Sequence, residues 1–312
     1  MSFRSNHYVP VLRLKSGELW ALRYVASDVR ESVTPILEVL PKNFQSTSNN
    51  QGGDINATVK TLTKKLWRVW GDRPFFLDTA HLRDSDFGPQ VVERFAESTI
   101  SENLLMIPVI SLHSLPAEIS ALRKSVEVLH RGCCFRLNRG DLDNANTGSA
   151  IANLLARLEV KSKDVDLVVD LSVSTGYPPF SYIRQKTPEL HEWRSFTVLS
   201  GAFPKDLQGR KPGVHRISRL EWRHWTSELG GNDRMPSFGD YTVQYAYYVE
   251  PPDQPNPSAS IRYTSDAEWI VMRGEGIFNE DGVGNKQWPA NVYCCPKCRS
   301  SAVQDLARAT NI

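Results

Sequence analysis

The chain has 312 residues and carries 37 Lys and Arg against 35 Asp and Glu, which leaves a formal net charge of +2. This length allows either two domains or one large fold such as an α/β barrel. With 40% hydrophobic and 10% aromatic residues the chain can bury a sizeable core, so disorder of the whole chain is excluded. The small net charge gives no bulk attraction for nucleic acid, so nonspecific nucleic-acid binding is not expected.

The sequence predicts a cytoplasmic protein with no membrane contact. The chain does not open on a basic segment followed by an apolar one, as a secretory signal would. Its longest apolar runs, such as 104–110, fall far short of the roughly 20 residues that a membrane span needs. The five cysteines lie in two tight groups, at 133–134 and at 294–298, which cannot staple distant parts of a fold.

Short strand-like runs alternate with helical stretches along most of the chain, which is typical of βα units. Eight strands are predicted, at residues 8–14, 33–39, 74–78, 104–111, 133–137, 166–171, 196–200 and 237–243. Helices are predicted at 16–24, 54–70, 88–100, 116–130, 147–158, 180–193 and 218–229. Residues 43–53 are rich in Asn, Gln, Ser and Gly and are predicted to form a loop.

This count favours a single α/β domain, a TIM-barrel-like (β/α)8 barrel over residues 1–245. Residues 246–290 are predicted to be a Pro-rich linker and a hairpin packed on the barrel, with strands at 261–264 and 269–273, and residues 291–312 an atypical Cys-containing tail. An open doubly wound sheet is the alternative fold. The sequence offers no glycine-rich dinucleotide-binding motif to support this alternative, because Ser16, Gly17 and Glu18 follow the first strand.

Charged residues end several of the predicted strands, where barrels place their functional groups. They include Lys15, Glu38, Asp78, Arg136, Asp170 and Asp240. Counting back by two from four of these positions reaches Ile36, Phe76, Cys134 and Val168, so the charges share a face with apolar residues that would fill the barrel. We therefore expect charges of both signs to meet at one rim.

Two interpretations of this rim stay open. In the first, Lys15 and Arg136 bind a phosphate-containing or other anionic ligand. Glu38, Asp78 and Asp170 are then catalytic acid/base groups or ligands of a divalent cation such as Mg2+. In the second interpretation, the same charges form a ring of salt bridges that closes the barrel, without chemistry.

Other motifs give weaker indications. His81 and His113 lie just beyond strands three and four, close enough in sequence to join the rim. Cys295 and Cys298 have the spacing of half a zinc site, but no second pair of ligands follows, so zinc is not favoured. Residues 219–225 combine bases with two tryptophans, which favours aromatic packing over nucleic-acid stacking. Neither a G-x-S-x-G elbow nor a phosphate-binding P-loop occurs.

An ordered string of short motifs resembles the beta proteins of bacteria, prophages and satellite phages. The resemblance covers about residues 8–290 and rests on the segments 8–22, 35–39, 76–78, 107–109, 219–222, 238–241, 261–264 and 269–274. Polar positions inside these motifs add ligand-binding candidates, and the set is Lys15, Glu18, Glu38, Asp78, Glu221 and Asp240. Unlike the relatives, the chain passes after residue 291 into a short Cys-containing tail.

The resemblance implies a genetic context more than a chemistry. Satellite-phage beta proteins are encoded beside a killer protein, in a phage-exclusion locus, and the beta protein restrains the killer. The resemblance therefore implies a phage-defence protein that binds and restrains a partner toxin. The alternative, based on the charged rim, is a metal-dependent barrel hydrolase, phosphodiesterase-like, or a sensor of a nucleotide or other phosphorylated small molecule.

Overall fold

The computed structural model of the protein describes residues 6–45, 54–85, 87–173, 176–187, 189–228, 234–250, 258–265 and 267–276. These residues divide into two compact units. The first takes the described residues within 1–172, 176–200 and 228–242, and the second takes those within 173–175, 201–227 and 243–312. None of the helices in the described ranges is long and apolar enough to cross a membrane.

The first unit is a closed barrel of eight parallel strands in the order β1-β2-β3-β4-β5-β6-β7-β9, which confirms the predicted (β/α)8 barrel. Its strands are β1 Tyr8–Arg13, β2 Ile36–Glu38, β3 Pro74–Asp78, β4 Leu105–Ile110, β5 Cys133–Asn138, β6 Val165–Val173, β7 Ser195–Gly201 and β9 Ser237–Asp240. Its helices are α1 Ser16–Tyr24, α2 Ser27–Arg30, α3 Ile55–Trp70, α4 Gln90–Ser101, α5 Pro116–Leu129, α6 Arg139–Asp143, α7 Thr147–Leu158 and α8 Phe180–Lys186.

The strand registers explain which side chains fill the barrel. Ile36 pairs with Phe76, and two residues later Glu38 pairs with Asp78. Because side chains alternate along a strand, the apolar pair and the acidic pair point to the same side. The helices cover the outside of the barrel with their buried stripes, as in α3, where Val59, Leu62 and Leu66 are buried. In these two strands the interior is therefore apolar until the last residue of the strand.

The chain leaves the barrel after β7 and returns only for β9, which pairs with both β7 and β1. Gly239 lies at this seam, where a Cβ atom would come within 2.9 Å of the Val9 carbonyl oxygen. Only glycine allows the strands to approach this closely. The closing strand thus depends on a residue without a side chain.

The second unit contains a three-stranded antiparallel sheet in the order β10-β11-β8, with β8 Gly213–Ser218, β10 Ser258–Thr264 and β11 Glu268–Gly276. Its buried cluster consists of Phe203, Leu207, Trp269 and Val271. Helix α9, Leu220–Ser227, carries Trp222 and Trp225 stacked at 5.3 Å between ring centroids. The motif acid Glu221 is buried on this helix and pairs with Arg219 at 3.2 Å.

The hairpin of β10 and β11 was expected, whereas β8 was not. The segment of β8 has no apolar run, and most of its residues are exposed or half-exposed. The second unit combines residues 201–227 with the described residues after 243. The Pro-rich stretch 251–257 and the tail 291–312, with Cys295 and Cys298, lie outside the described residues.

Candidate functional site

Arg136 on β5 lies at the centre of a buried polar cluster inside the carboxyl end of the barrel. Its Nη1 donates to Glu38 Oε1 at 3.0 Å and to Asp78 Oδ2 at 2.6 Å. Its Nε donates to Asp170 Oδ2 at 3.0 Å, and its Nη2 donates to the Tyr241 hydroxyl at 2.8 Å. We call these five residues the Arg136 cluster. The structure thus brings together four predicted site residues from β2, β3, β5 and β6.

The local backbone fixes two of the carboxylates. Asp78 Oδ1 accepts a hydrogen bond from the Ala80 amide at 2.9 Å, and Asp170 Oδ1 accepts one from the Ser172 amide at 2.8 Å. Ser172, next to the last residue of β6, adopts a left-handed conformation with φ of 51°. Each aspartate therefore has one oxygen on the backbone amide two residues later and the other on Arg136.

Tyr241 is the member of the cluster that the sequence analysis missed. Its hydroxyl donates to Asp170 Oδ2 at 2.5 Å while accepting from Arg136. Burial, together with the Asp170 charge, raises the pKa of Tyr241 well above its ordinary value, so the phenol keeps its proton. Its position two residues after Gly239 could have indicated this role. Side chains two residues apart along a strand point to the same side, which here is the barrel interior.

Glu38 differs from the two aspartates because one of its oxygens has no hydrogen bond among the described residues. That oxygen, Oε2, lies 3.3 Å from His81 Nε2 and 3.7 Å from Arg13 Nε. The residue is 3% exposed, whereas the His81 side chain is 29% exposed. Burial acts to raise the pKa of Glu38, but His81 and Arg136 outweigh it and lower the pKa to about 2.

The geometry limits what each group can do. All three nitrogens of Arg136 already contact protein oxygens, so this side chain orders the carboxylates and offers little to an anionic ligand. Asp78 and Asp170 are similarly committed, which fits the interpretation of a salt-bridge network for this part of the rim. Glu38 Oε2 and His81 Nε2 lie 3.3 Å apart, and a carboxylate beside an imidazole is a pair suited to acid–base chemistry.

The metal interpretation has no ligand set in the part of the chain that is described. Within those residues no group of three or more His, Cys, Asp or Glu side chains is arranged to hold a metal ion. At the centre of the three carboxylates lies the guanidinium of Arg136. The carboxylates are therefore directed at an organic cation of the protein itself.

The remaining predicted site residues lie around the cluster. Lys15 is exposed between β1 and α1, and Glu18 is half-exposed in the first turn of α1. Asp240 is 2% exposed and accepts hydrogen bonds from the Tyr8 hydroxyl at 2.5 Å and the Thr242 amide at 2.9 Å. Asp240 directly precedes Tyr241, and neighbouring side chains along a strand point to opposite sides. The side chain of Asp240 therefore points away from the side that Tyr241 occupies.

A second histidine–carboxylate pair lies on the neighbouring loops. His113 Nε2 is 2.8 Å from Asp141 Oδ1, and the histidine side chain is 61% exposed. Asp141 is buried, and its other oxygen accepts from the Asn138 amide at 2.7 Å. This carboxylate therefore serves the start of α6 as a cap as well as holding His113.

Comparison with known proteins finds no curated protein that matches the chain. Among solved structures, it is similar to a GH138 enzyme targeting pectin rhamnogalacturonan II, with 9% identity, a TM-score of 0.43 and coverage of 89% of this chain and 38% of that one. It is also similar to an alanine racemase from Clostridium difficile 630 in complex with cycloserine, with 12% identity, a TM-score of 0.35 and coverage of 80% and 53%. The chain thus spans 38% and 53% of the length of these two proteins.

A thermostable mutant of a xylanase from Cellvibrio japonicus is similar over 79% of this chain and 87% of its own, with 12% identity and a TM-score of 0.42. A family model covers a larger part of the chain than these structures do. The model described as Beta protein matches residues 8–291, which include every strand of the barrel and the whole Arg136 cluster. The chain therefore belongs to the Beta protein family.

Proposed function

We propose that the carboxyl end of the barrel binds a small hydroxyl-bearing ligand, and that His81, oriented by Glu38, exchanges a proton with it. One observation carries this proposal. A buried carboxylate oxygen has no hydrogen bond among the described residues, and it lies 3.3 Å from a partly exposed imidazole. Because Glu38 is buried and ionised, it can hold this imidazole in place and stabilise its protonated form.

The proposed chemistry is hydrolysis of a phosphorylated small molecule. His81 accepts a proton from water as the water oxygen attacks phosphorus, the bond from phosphorus to the leaving oxygen breaks, and the proton passes to that oxygen. Glu38 stays ionised near neutral pH because its pKa is about 2, so it orients the imidazole and stabilises its cationic form. Arg136 holds Glu38 through Oε1 and acts as a positioning residue.

The test is phosphate release from a panel of nucleotides and sugar phosphates, with and without Mg2+. We expect turnover of at least one panel member, and losses in kcat/KM of about 10²–10⁴-fold for His81→Asn and Glu38→Gln. The matched control is His130→Asn, because His130 is an exposed histidine at the left-handed end of α5, where Asn is well tolerated. Turnover that is equal in all variants, or no turnover of any panel member, would overturn the proposal.

Membership of the Beta protein family favours a second candidate function, the restraint of a partner toxin from the same phage-exclusion locus in the cytoplasm. Co-expression is then expected to rescue cells from the toxin gene, and the two proteins are expected to co-purify. Failure of both results would exclude this role.

The two candidate functions can be combined if ligand binding at the rim releases the partner. Nucleotide extracts would then dissociate the purified complex from wild-type protein but not from a complex made with Glu38→Gln. Dissociation of both complexes alike would exclude the link.

A further inference from the structure

A second imidazole at the carboxyl end of the barrel has no part in the hydrolysis as described so far. His113 lies in the loop after β4, and its Nε2 is 2.8 Å from Oδ1 of Asp141, which lies in α6 directly after β5. The His113 side chain is 61% exposed, whereas that of Asp141 is 3% exposed. A carboxylate at hydrogen-bond distance fixes the orientation of an imidazole ring and selects which nitrogen faces a ligand.

The carboxylate that holds His113 is itself held rigidly. Asp141 Oδ2 accepts from the Asn138 amide at 2.7 Å, and the Asp141 amide donates to Asn138 Oδ1 at 3.0 Å. The Thr147 hydroxyl donates to the Asp141 carbonyl oxygen. Because Nε2 of His113 is directed at Asp141, the Nδ1 proton is the one that the protonated ring can offer to a ligand.

The loops that carry His81 and His113 are tied to each other. Arg83 Nε, in the loop after β3, donates to Glu118 Oε1 at 2.9 Å, and the Leu115 amide, in the loop after β4, donates to Glu118 Oε2 at 2.7 Å. Since β3 and β4 are paired parallel strands, both loops leave the same end of the barrel. Each histidine comes three residues after its strand ends. The structure therefore holds two carboxylate-bound imidazoles on adjacent, connected loops.

The two pairs differ in how open they are. The His81 side chain is 29% exposed and that of His113 is 61% exposed. A general base needs to reach only a water molecule, whereas a general acid must reach the leaving group, which is larger. The more exposed ring has more room for that group.

We propose that His113 is a further catalytic residue, the acid that protonates the leaving oxygen, and that Asp141 is its positioning residue. This inference rests on the proposed function, in which His81 is the base. His81 takes a proton from the attacking water, the electron pair of the breaking bond stays on the leaving oxygen, and that oxygen takes the Nδ1 proton of protonated His113. Exchange with solvent then carries a proton from His81 to His113, so one proton per turnover passes from water to the leaving oxygen.

The test compares phosphate release from phenyl phosphate and from 4-nitrophenyl phosphate, because 4-nitrophenolate is a stable anion that leaves without a proton. For His113→Asn we expect kcat to fall about 10²-fold or more with phenyl phosphate and about tenfold or less with 4-nitrophenyl phosphate. Asp141→Asn, which keeps an oxygen for the Asn138 amide, should show the same difference at smaller size. The matched control His130→Asn, at the other end of α5, should equal the wild type on both esters.

His81→Asn separates this inference from the proposed function, because loss of the base slows both esters equally. If His81→Asn lowers both rates and His113→Asn lowers neither, the proposed function stands and the role of His113 is wrong. Equal losses with the two esters in His113→Asn would also overturn the assignment, since a merely structural effect does not depend on the leaving group. Absence of turnover of both esters by the wild type would overturn it too, and the nucleotide and sugar-phosphate panel then decides on the hydrolysis alone.

Discussion

The two ends of the barrel bury charge in opposite ways. At the amino end, Asp166 is a single acid surrounded by donors: Arg194 Nε at 3.0 Å, Arg194 Nη2 at 2.5 Å and Ser195 Oγ at 2.6 Å. At the carboxyl end, Arg136 is a single base surrounded by three acids. The amino end satisfies both oxygens of its carboxylate, whereas the carboxyl end leaves Glu38 Oε2 without a hydrogen bond in the described residues.

This difference separates a carboxylate whose two oxygens are both hydrogen-bonded from one that keeps an oxygen without a hydrogen bond in the described residues. Buried polar groups are hydrogen-bonded in most proteins, and exceptions concentrate at functional sites. Asp166 follows the general rule, and it is at the end of the barrel where structural roles are expected. Glu38 breaks the rule at the opposite end, where barrels of this architecture usually place their functional groups.

The largest effect is expected from Arg194→Ala at the amino end. It leaves Asp166, which is 1% exposed, without its charged partner, and such a change costs about 3–5 kcal/mol. Urea unfolding measures the loss. The control is Arg94→Ala in the exposed Arg94–Glu97 pair, where about 0.5 kcal/mol or less is expected. Equal losses in the two variants would mean that the amino-end network does not hold the fold.

A smaller effect is expected from Glu38→Gln, about 1.5–3 kcal/mol at pH 7, because a charged hydrogen bond to Arg136 is weakened. The pKa of Glu38 is lowered in the folded protein, so its contribution is present above pH 4.5 and is lost as the pH falls to about 2. Unfolding measured from pH 7 to pH 2 should therefore show the difference between wild type and variant shrinking. A difference that stays constant with pH contradicts this account of the carboxyl end.

The smallest effect at neutral pH is expected from His7→Gln near the amino end, where His7 Nε2 is 2.9 Å from Thr34 Oγ1. Burial lowers the pKa of His7 from 6.5 to about 4, against the attraction of Asp166. The unfolded chain therefore binds a proton first, and wild-type stability falls relative to the variant as the pH drops from 6.5 to 4. At pH 7 the two proteins should unfold alike, and parallel stability curves down to pH 4 would refute the shift.

The barrel could be predicted from the sequence because local patterns specify it. Runs such as the one at β6 are buried on both faces and read as strands on composition alone, and the helices between them have clear apolar stripes. The meeting of Glu38, Asp78, Arg136 and Asp170 also followed, since parallel strands of known order bring their carboxyl ends to one rim.

Other parts of the site could not be read in this way. Tyr241 comes one residue after β9, and its acidic neighbour Asp240 is the stronger candidate on residue type alone. The loops after β1 and β2 are joined by the hydrogen bond of Asn43 to the Leu14 carbonyl, which no local pattern encodes. The commitment of Arg136 to four partners depends on three-dimensional contacts that no spacing encodes.

The seam between β1 and β9 has a consequence for how the protein is made. Tyr8 and Asp240, which meet there, are 232 residues apart in the chain, and residues 201–227 must emerge from the ribosome before the closing strand does. Until then β1 and β7 are open edges of a parallel sheet, and such edges pair readily with other chains. A chain that has not yet added β9 therefore keeps two strand edges exposed to pairing with other chains.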